Sequence, residues 1–351
     1  MKFIKKNQIK FFINSNSNIK QALANLEKNT LKITLVVDDA NKFFGTITDG
    51  DIRRGLLKGL NLGDSLRSIV NKKSYTIKNI MDERNLIKIM SDRSINHVPL
   101  LDYKNKVIGM YVNHDRDYSA RNIQNSLLIM AGGKGLRMLP HTQHSPKPMM
   151  LVKKKPILEH IILRAKQEGF KKIWISVHYL GSIIKDYFND GKKWGVEIKY
   201  INEKKPYGTA GSLAHIKPKP KLPIVVINGD LLTSVNYQSI INYHIKHKAL
   251  ATMAVKILHT QNQFGVIKTK GINVVNFIEK PINKEKINAG IYVISPKAIN
   301  MIDKKNFEMN ELFLKLKKQR KKIIIFPLHE SWKDIGRPQD LSFVNKKKNK
   351  L

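Results

Sequence analysis

A short apolar segment that runs directly into a glycine-rich turn constrains the fold of this chain more than any other feature. Residues 127–131, LLIMA, are apolar throughout, and residues 132–135, GGKG, follow at once. An apolar run of this length predicts a buried strand, and glycines allow backbone N–H groups to converge on one point. We therefore expect an anion to bind where this strand ends. The residues that would surround it are Ala131, Gly132, Gly133 and Gly135.

Two positively charged side chains follow the turn. Arg137 can grip phosphate oxygens through two parallel hydrogen bonds. Lys147, within Ser-Pro-Lys-Pro (145–148), adds a compact positive charge. A glycine turn, an arginine and a lysine in this order predict a site for a triphosphate. The glycine turn taken alone is as typical of an ordinary tight connection.

Downstream of Ser126 the chain alternates predicted strands with predicted helices. A helix begins at Pro156 and ends before Gly169. Further strands are predicted at 172–177, 196–201 and 223–228. This alternation predicts an α/β fold with a largely parallel sheet. Ligands of such sheets bind at the carboxyl ends of the strands, where the glycine turn and Asp230 both lie.

Two aspartates are candidates for a metal site. Asp230 follows the buried run 223–228 with no basic residue beside it in sequence, and a carboxylate there is costly unless it is hydrogen-bonded or binds a cation. Asp334, in Trp-Lys-Asp-Ile-Gly (332–336), is the second candidate. Mg²⁺ needs only one or two protein carboxylates because phosphate and water oxygens complete its shell. Either aspartate could instead be an ordinary turn residue.

Two further loops suit a nucleotide and a sugar. Small residues in the loop 203–211, EKKPYGTAG, allow a flat ring to approach the backbone before a helix that we expect to begin at about Ser212. Glu279 and Lys280 follow another apolar run, where an acid suits sugar hydroxyls and a lysine suits a sugar phosphate. Each loop taken alone is equally an ordinary connection.

The N-terminal part contains an internal repeat. Residues 45–51, GTITDGD, and residues 109–115, GMYVNHD, share a first glycine, apolar middle residues and a last aspartate. Each segment follows an apolar strand and, before that, a stretch with helical spacing. Each copy therefore predicts a helix, a strand, a turn, a second strand and a helix that starts at the aspartate.

Residues 1–118 resemble a tandem pair of CBS domains, also called a Bateman module. The resemblance implies that Asp51, assisted by Thr48, holds the ribose of an adenine nucleotide such as AMP or ATP. It implies the same role for Asp115, although Val112 stands where the second threonine is expected. Two alternatives remain: the aspartates only cap helices, or the pair is purely structural or supports a homo-oligomer.

Residues 126–345 resemble the nucleotide-sugar pyrophosphorylases, which are sugar-1-phosphate nucleotidyltransferases with a GT-A-like, Rossmann-like mixed sheet. Six motifs carry the resemblance in order: GGKGLR, SPKP, PYGTAG, NGD, EKP with NAG, and WKDIG. Leu136 departs from the pattern, since many relatives have threonine there. The site residues implied are Arg137 and Lys147 for the triphosphate, Glu203, Pro206, Gly208 and Thr209 for the base and ribose, Gly265, Glu279, Lys280 and Asn288 for the sugar phosphate, and Asp230 and Asp334 for the metal.

The implied reaction is attack by a sugar-1-phosphate oxygen on the α-phosphorus of a nucleoside triphosphate, with Mg²⁺ as cofactor and pyrophosphate released. Catalysis would rest on Arg137, Lys147 and Asp230, because no enzyme nucleophile is required. Paired CBS domains joined to such a domain resemble guanylyltransferases, so GTP is the expected nucleotide and a GDP-sugar for surface glycans the product. The alternatives are uridylyl, thymidylyl or cytidylyl transfer, and a non-catalytic nucleotide sensor.

The composition limits the remaining possibilities. The chain has no cysteine, which excludes thiol nucleophiles and thiolate zinc sites. No apolar run reaches the roughly 18 residues of a membrane helix. The net charge of +37 comes mostly from scattered lysines without interleaved aromatic residues, which favours a solvated face and a biased lysine usage. The functional alternative is a field that attracts anionic substrates or, less specifically, nucleic acid or acidic membrane, although no nucleic-acid partner is expected. We expect a cytoplasmic protein with a linker at 119–125 and a basic tail at 346–351.

Overall fold

A computed structural model describes residues 1–29, 31–93, 95–113, 123–303 and 306–346. The chain divides into two compact units, Met1–Ala120 and Arg121–Leu351. Asp115 and residues 119–122 of the predicted linker lie outside the described residues. In the described part of the chain, no helix combines the length and apolar character that crossing a membrane requires.

The described part of the first unit contains six strands and three α-helices. In chain order they are β1 (Lys2–Lys5), β2 (Phe12–Asn14), α1 (Ile19–Lys28), β3 (Ile33–Val37), β4 (Phe43–Thr48), α2 (Asp49–Leu57), α3 (Glu83–Asp92), β5 (His97–Leu101) and β6 (Val107–Val112). The strands form two sheets with the orders β2-β3-β4 and β1-β6-β5. Each copy of the repeat therefore has a helix followed by an antiparallel strand pair, β3–β4 or β5–β6, which confirms the predicted order as far as the description extends.

The helix that closes the first copy begins earlier than predicted. α2 starts at Asp49, and Asp51 lies inside its first turn rather than at its start. The Asp51 carboxylate accepts hydrogen bonds from the Thr48 N–H at 2.8 Å and the Thr48 hydroxyl at 2.6 Å. This reciprocal cap satisfies a backbone group at the helix entrance, so the capping role is observed. The nucleotide-binding role of Thr48 and Asp51 stays a prediction.

The described part of the second unit contains thirteen strands and seven α-helices. They are β7 (Leu127–Met130), β8 (Leu151–Val152), β9 (Lys155–Pro156), α4 (Ile157–Gln167), β10 (Lys172–Val177), α5 (Gly181–Phe188), β11 (Glu197–Asn202), α6 (Gly208–Gly211), β12 (Ile224–Asn228), β13 (Leu231–Thr233), α7 (Tyr237–Lys246), β14 (Ala251–Gln261), β15 (Val266–Lys270), β16 (Asn273–Ile278), β17 (Ile282–Ile294), α8 (Pro296–Ile299), α9 (Met309–Lys318), β18 (Ile323–Leu328), β19 (Trp332–Asp334) and α10 (Pro338–Lys346).

Seven of these strands form one mixed sheet with the order β11-β10-β7-β12-β17-β14-β18. The first four are mutually parallel, whereas β17 runs antiparallel to both β12 and β14. The predicted strands at 172–177, 196–201 and 223–228 are confirmed as β10, β11 and β12. The sheet is mixed, as the family resemblance implied, because the chain returns through the long strand β17 instead of a further crossover helix.

Side chains of β7 alternate between two apolar layers that cover the sheet. Leu127 and Ile129 pack in a cluster that includes Ile161 of α4. Leu128 packs in a second cluster that includes Leu312 of α9. A strand covered on both faces needs apolar residues at every position, which explains why LLIM is a continuous run and not an alternating one.

A buried histidine makes the stability of this unit depend on pH. His244 of α7 lies between Thr252 and Ser295, with each ring nitrogen 2.8 Å from a hydroxyl oxygen. The Ser295 hydroxyl donates to the Ala249 carbonyl, so the Nε2–H of His244 donates to Ser295 and Nδ1 accepts from Thr252. Burial lowers the pKa of His244 to about 4.

We expect the second unit to lose stability as the pH falls from 6.5 to 4. Below its ordinary pKa the histidine takes up a proton in the unfolded chain but not in the folded one, which costs about 2 kcal/mol at pH 5. Thermal unfolding of the wild type and of His244→Gln, followed from pH 7.5 to pH 5, measures this. The variant should lose less stability on acidification. Equal slopes for the two proteins would contradict the assignment.

Candidate active site

The glycine turn after β7 adopts a conformation that only glycine accommodates easily. Gly135 has φ +64°, and a Cβ atom there would lie 3.0 Å from Thr142 Cγ2 and 3.1 Å from Lys147 Cβ. The Gly135 carbonyl accepts a hydrogen bond from the Thr142 hydroxyl at 2.9 Å. The close approach brings Lys147 against the turn, and a short 3₁₀ helix at Leu136–Met138 carries Arg137.

This turn forms one wall of an open cleft with a volume of about 640 Å³. The cleft contains every residue predicted for the triphosphate, base and ribose. Its lining consists of Met130, Ala131, Gly132, Gly133, Lys134, Gly135, Leu136, Arg137, Met138, Lys147, Pro148, Glu203, Pro206, Gly208, Thr209, Asn228, Gly229, Asp230, Glu308 and Gly336. Segments from distant parts of the sequence therefore meet where β7 and β12 end.

A small antiparallel ladder brings the two predicted metal ligands together. Asp230 lies between β12 and β13, and β13 pairs with β19 so that Leu231 is opposite Asp334. The Asp230 carbonyl also accepts a hydrogen bond from the Ile335 N–H at 3.0 Å. The ladder thus fixes two carboxylates that lie far apart in sequence at one edge of the cleft.

Asp230 has an ion-pair partner, Lys147, that could not be identified from the sequence. The lysine is buried and forms an ion pair with Asp230 Oδ2, and its Nζ lies 3.8 Å from Asp334 Oδ1. Asp230 has no basic neighbour in the sequence, but Lys147 lies beside it in the fold because the Ser-Pro-Lys-Pro segment folds back against the end of β12. The ion pair makes Lys147 part of the carboxylate pair as well as of the phosphate wall.

The two carboxylates fit a divalent cation. Asp230 Oδ1 and Asp334 Oδ1 are both buried without a hydrogen-bond partner. Burial and the negative charge of Asp230 raise the pKa of the Asp334 carboxyl, which Lys147 and Arg137 only partly offset. Oxygen ligands of this kind are those that Mg²⁺ takes from proteins. The described residues contain no cluster of three or more acidic or histidine ligands, so substrate and water oxygens would complete the shell.

Glu203 lies beside the glycine turn, since a Cβ atom on Gly132 would be 3.3 Å from Glu203 Oε1. Its Oε1 accepts hydrogen bonds from the hydroxyls of Ser176 and Ser212, and its Oε2 accepts one from the Tyr207 N–H at 3.0 Å. Three donors therefore hold this carboxylate in one position, where it ties the end of β10 to the loop that precedes α6. Glu203 lines the cleft as predicted and also fixes the loop that forms the pocket.

The helix in this part of the cleft wall begins within the PYGTAG motif and not at about Ser212, so that expectation was wrong. α6 starts at Gly208 and is followed by a 3₁₀ turn at Ser212–His215. The Phe307 carbonyl accepts hydrogen bonds from the N–H groups of Ala210 and Gly211 at 2.9 and 3.0 Å. Because these first-turn donors would otherwise lack partners, the contact with Phe307 allows the helix to start early.

Sequence reasoning missed Glu308, which lies beside Thr209 in the same wall. Its Oε2 accepts hydrogen bonds from the Thr209 hydroxyl at 2.6 Å and the Thr209 N–H at 3.2 Å. Glu308 belongs to the connection before α9 and to none of the six motifs, so no sequence signal indicated it. Lys134 and Asn228 also line the cleft without having been predicted.

The residues predicted for the sugar phosphate do not line this cleft. Gly265 and Glu279 lie close together, since a Cβ atom on Gly265 would be 3.0 Å from Glu279 Oε2. Lys280 is exposed beside Glu279. The Asn288 amide donates to the Tyr292 hydroxyl at 2.7 Å. The sugar-phosphate role of these four residues stays a prediction.

Residues 126–350 match the model of a protein family described as nucleotidyl transferase. The match extends over more than half of the chain. The chain belongs to the nucleotidyl transferase family. Residues 9–58 match the CBS domain model, so this nucleotidyl transferase carries an N-terminal CBS domain.

Relatives of this nucleotidyl transferase support the family assignment. It is 31% identical over 220 residues to the mannose-1-phosphate guanylyltransferase catalytic subunit beta of Drosophila melanogaster, covering 61% of this chain and 60% of that protein. It is 30% identical over 221 residues to the mannose-1-phosphate guanyltransferase of Yarrowia lipolytica, covering 61% of each chain. The matches thus span about three fifths of the length of these relatives.

Solved structures support the fold. HddC from Yersinia pseudotuberculosis superimposes with a TM-score of 0.51 at 24% identity and covers 64% of this chain and 99% of its own. The same protein complexed with GMP-PN gives a TM-score of 0.50 with the same coverage. The mixed-sheet unit of this nucleotidyl transferase therefore shares its architecture with HddC.

We expect Lys147→Met to bind Mn²⁺ more tightly than the wild type in the absence of nucleotide. Removing the ammonium group leaves two carboxylates without their positive neighbour, which should raise the affinity about tenfold. Electron paramagnetic resonance of free Mn²⁺ measures the dissociation constant, after circular dichroism has shown that the variant is folded.

Lys134→Met is the matched control for that measurement. Lys134 lines the same cleft, and within the described residues it forms no ion pair. Its replacement should leave the Mn²⁺ affinity within about twofold of the wild type, since exposed charges are well screened. An affinity of Lys147→Met equal to or weaker than that of the wild type would contradict the interpretation of Lys147 as the internal counter-charge.

Proposed function

We propose that this nucleotidyl transferase transfers GMP from GTP to a sugar 1-phosphate, yielding a GDP-sugar and pyrophosphate for glycan synthesis. The observation that supports this most directly is the cleft lined by the glycine turn, Arg137, Lys147 and Asp230, in which Lys147 contacts Asp230 and its Nζ lies 3.8 Å from Asp334 Oδ1. Cationic groups directly beside two carboxylates suit a triphosphate and its cation together. The guanylyltransferase names of the relatives favour GTP and make mannose 1-phosphate the first sugar to test.

The chain's own residues would act mainly by holding two anions in line. Backbone N–H groups of the glycine turn, together with Arg137 and Lys147, hold the triphosphate and neutralise charge that develops on the departing pyrophosphate. The sugar phosphate supplies the attacking oxygen, so alignment replaces a covalent enzyme intermediate. The triphosphate would compete with Asp230 for Lys147, which frees the aspartate as the substrate binds.

Asp230 and Asp334 would hold the magnesium ion. When bound, Mg²⁺ supplies positive charge to the phosphate oxygens and orients them. When no substrate is bound, the ion pair with Lys147 neutralises the half-buried carboxylate of Asp230. Without this partner the partly buried charge would lower the stability of the fold.

We expect pyrophosphate release with Mg²⁺, GTP and mannose 1-phosphate. The assay tests GTP, UTP, dTTP, CTP and ATP against mannose, glucose, glucosamine and heptose 1-phosphates. Turnover that is highest with GTP supports guanylyl transfer, and the preferred sugar identifies the second substrate. Turnover with another nucleotide only would reject GTP as the substrate but would still support nucleotidyl transfer. If the folded protein releases no pyrophosphate with any pair of the panel, the proposed transferase activity is rejected.

Asp230→Asn serves as the inactive control in that assay. The amide can still accept one hydrogen bond but no longer neutralises Lys147 or a cation, so turnover should fall by about 10² to 10³. A fall in turnover of this size is expected if Asp230 acts on the reacting phosphates, whereas the loss of a surface charge would change turnover much less. Activity equal to that of the wild type would show that this carboxylate does not hold the cation.

We further propose that an adenine nucleotide binds the N-terminal unit and regulates transfer. The support is the CBS domain match over residues 9–58 and the position of Thr48 and Asp51 at the entrance of α2. Regulation requires that the ligand change the affinity or turnover at the other site by a measurable coupling free energy.

Saturating AMP is expected to change kcat/KM for GTP by about fivefold or more, which is the lower range of allosteric couplings. The measurement is steady-state turnover with and without AMP, accompanied by calorimetric titration of AMP. Thr48→Val, which removes only the hydroxyl, should weaken AMP binding and the response together. Unchanged turnover at saturating AMP would exclude regulation by this ligand even if AMP binds.

A further inference from the structure

Glu308 differs from the other two acidic residues that line the cleft, Glu203 and Asp230, in having an exposed side chain. Asp230 is engaged by Lys147, and Glu203 accepts three hydrogen bonds from its own surroundings. Glu308 Oε2 is held by Thr209. Glu308, which is the N-cap residue of α9, joins no ion pair within the described ranges, and its side chain is exposed to the cleft.

The backbone around Glu308 is fixed by contacts with the opposite segment of the wall. The Phe307 N–H donates to the Tyr207 carbonyl at 2.9 Å, and the Met309 N–H donates to the Thr209 hydroxyl at 2.7 Å. At Gly208 a Cβ atom would lie only 2.7 Å from the Phe307 oxygen. Such tight pairing leaves the carboxylate little freedom, so it is pre-organised beside the loop predicted to receive the base.

The chemistry of a fixed carboxylate selects among nucleobases. A carboxylate only accepts hydrogen bonds. Guanine presents two adjacent donors, N1–H and the 2-amino group, on its pairing edge. Uracil and thymine present a single N–H between two carbonyl oxygens, and adenine and cytosine present a ring acceptor beside their amino group. An exposed, oriented carboxylate therefore suits guanine better than uracil or thymine, which offer only one N–H, and better than adenine or cytosine, whose amino group lies beside a ring acceptor that the carboxylate repels.

We propose that Glu308 is a specificity-determining residue that accepts a hydrogen bond from the 2-amino group of guanine. The proposal rests on the proposed function, because it requires that the nucleotide base occupy the part of the cleft formed by Pro206, Gly208 and Thr209. It assigns Glu203 a different role, which is to hold that loop in place. Base choice would then reside in a residue outside the six sequence motifs.

The test compares GTP with inosine triphosphate, which lacks only the 2-amino group. Calorimetric titration gives the affinity of the full-length protein for both nucleotides, so the result does not depend on turnover. The wild type should prefer GTP by about tenfold to a hundredfold, as expected for a hydrogen bond to a charged acceptor. Glu308→Gln and Glu308→Ala should lower this ratio at least about fivefold while leaving the affinity for inosine triphosphate nearly unchanged.

Two further variants make the result specific. Glu203→Gln tests the competing carboxylate: it should weaken both nucleotides together and keep their ratio, because it disturbs the loop and not the base edge. Glu285→Gln, an exposed residue of β17 away from the cleft lining, should change neither affinity. A purely structural role of Glu308 would likewise lower both affinities by the same factor, since truncation would then only loosen the wall.

The outcomes separate this proposal from the proposed function. A GTP preference that persists in both Glu308 variants overturns the proposal while guanylyl transfer stands. If the ratio of the affinities for GTP and inosine triphosphate falls in Glu203→Gln but not in the Glu308 variants, then Glu203 and not Glu308 recognises guanine, and the proposal is overturned. A wild type without preference for GTP over inosine triphosphate overturns the role of Glu308 directly. If no pyrophosphate is released with any substrate pair but the preference for GTP over inosine triphosphate still depends on Glu308, then the proposed transferase activity is rejected and guanine recognition by Glu308 stands.

Discussion

The arrangement of the second unit depends on the parallel pairing of β7 with a neighbour on each side. Met130 at the end of β7 lies opposite Ser176 of β10 and opposite Asn228 of β12. Three strands therefore end side by side, and whatever follows them meets at one edge of the sheet. The glycine turn follows β7, Gly229 and Asp230 follow β12, and Ser176 donates to Glu203. The cleft is a consequence of this register.

Acidic and basic groups lie side by side in the cleft, although the chain as a whole has a large excess of lysine. The chain has 64 basic and 27 acidic side chains, yet the edge of the cleft where β12 ends holds two carboxylates against one buried lysine. Moving charges into a partly buried place is costly unless each finds an opposite charge. Lys147 meets this requirement for Asp230, and the two carboxylate oxygens without partners are those proposed to bind the cation.

The sequence predicted what depends on local pattern and missed what depends on strand order. Buried strands at β7, β10, β11 and β12 follow from continuous apolar runs, and the need for glycine at position 135 follows from a turn after a strand. The ion pair between Lys147 and Asp230 could not be predicted, because it requires knowing that β12 lies beside β7. The early start of α6 likewise depends on a carbonyl supplied by Phe307, a contact between segments remote in sequence.

The wall that contains Thr209 and Glu308 has a further consequence. Hydrogen bonds join residues 207–211 to residues 307–309, so neither segment can be considered an independent loop. A chimaera that received the 203–211 loop of another family member would place it against a foreign partner and lose part of its shape. Nucleotide preference in this architecture would thus change through paired substitutions in the two segments, and it would be inherited as a unit.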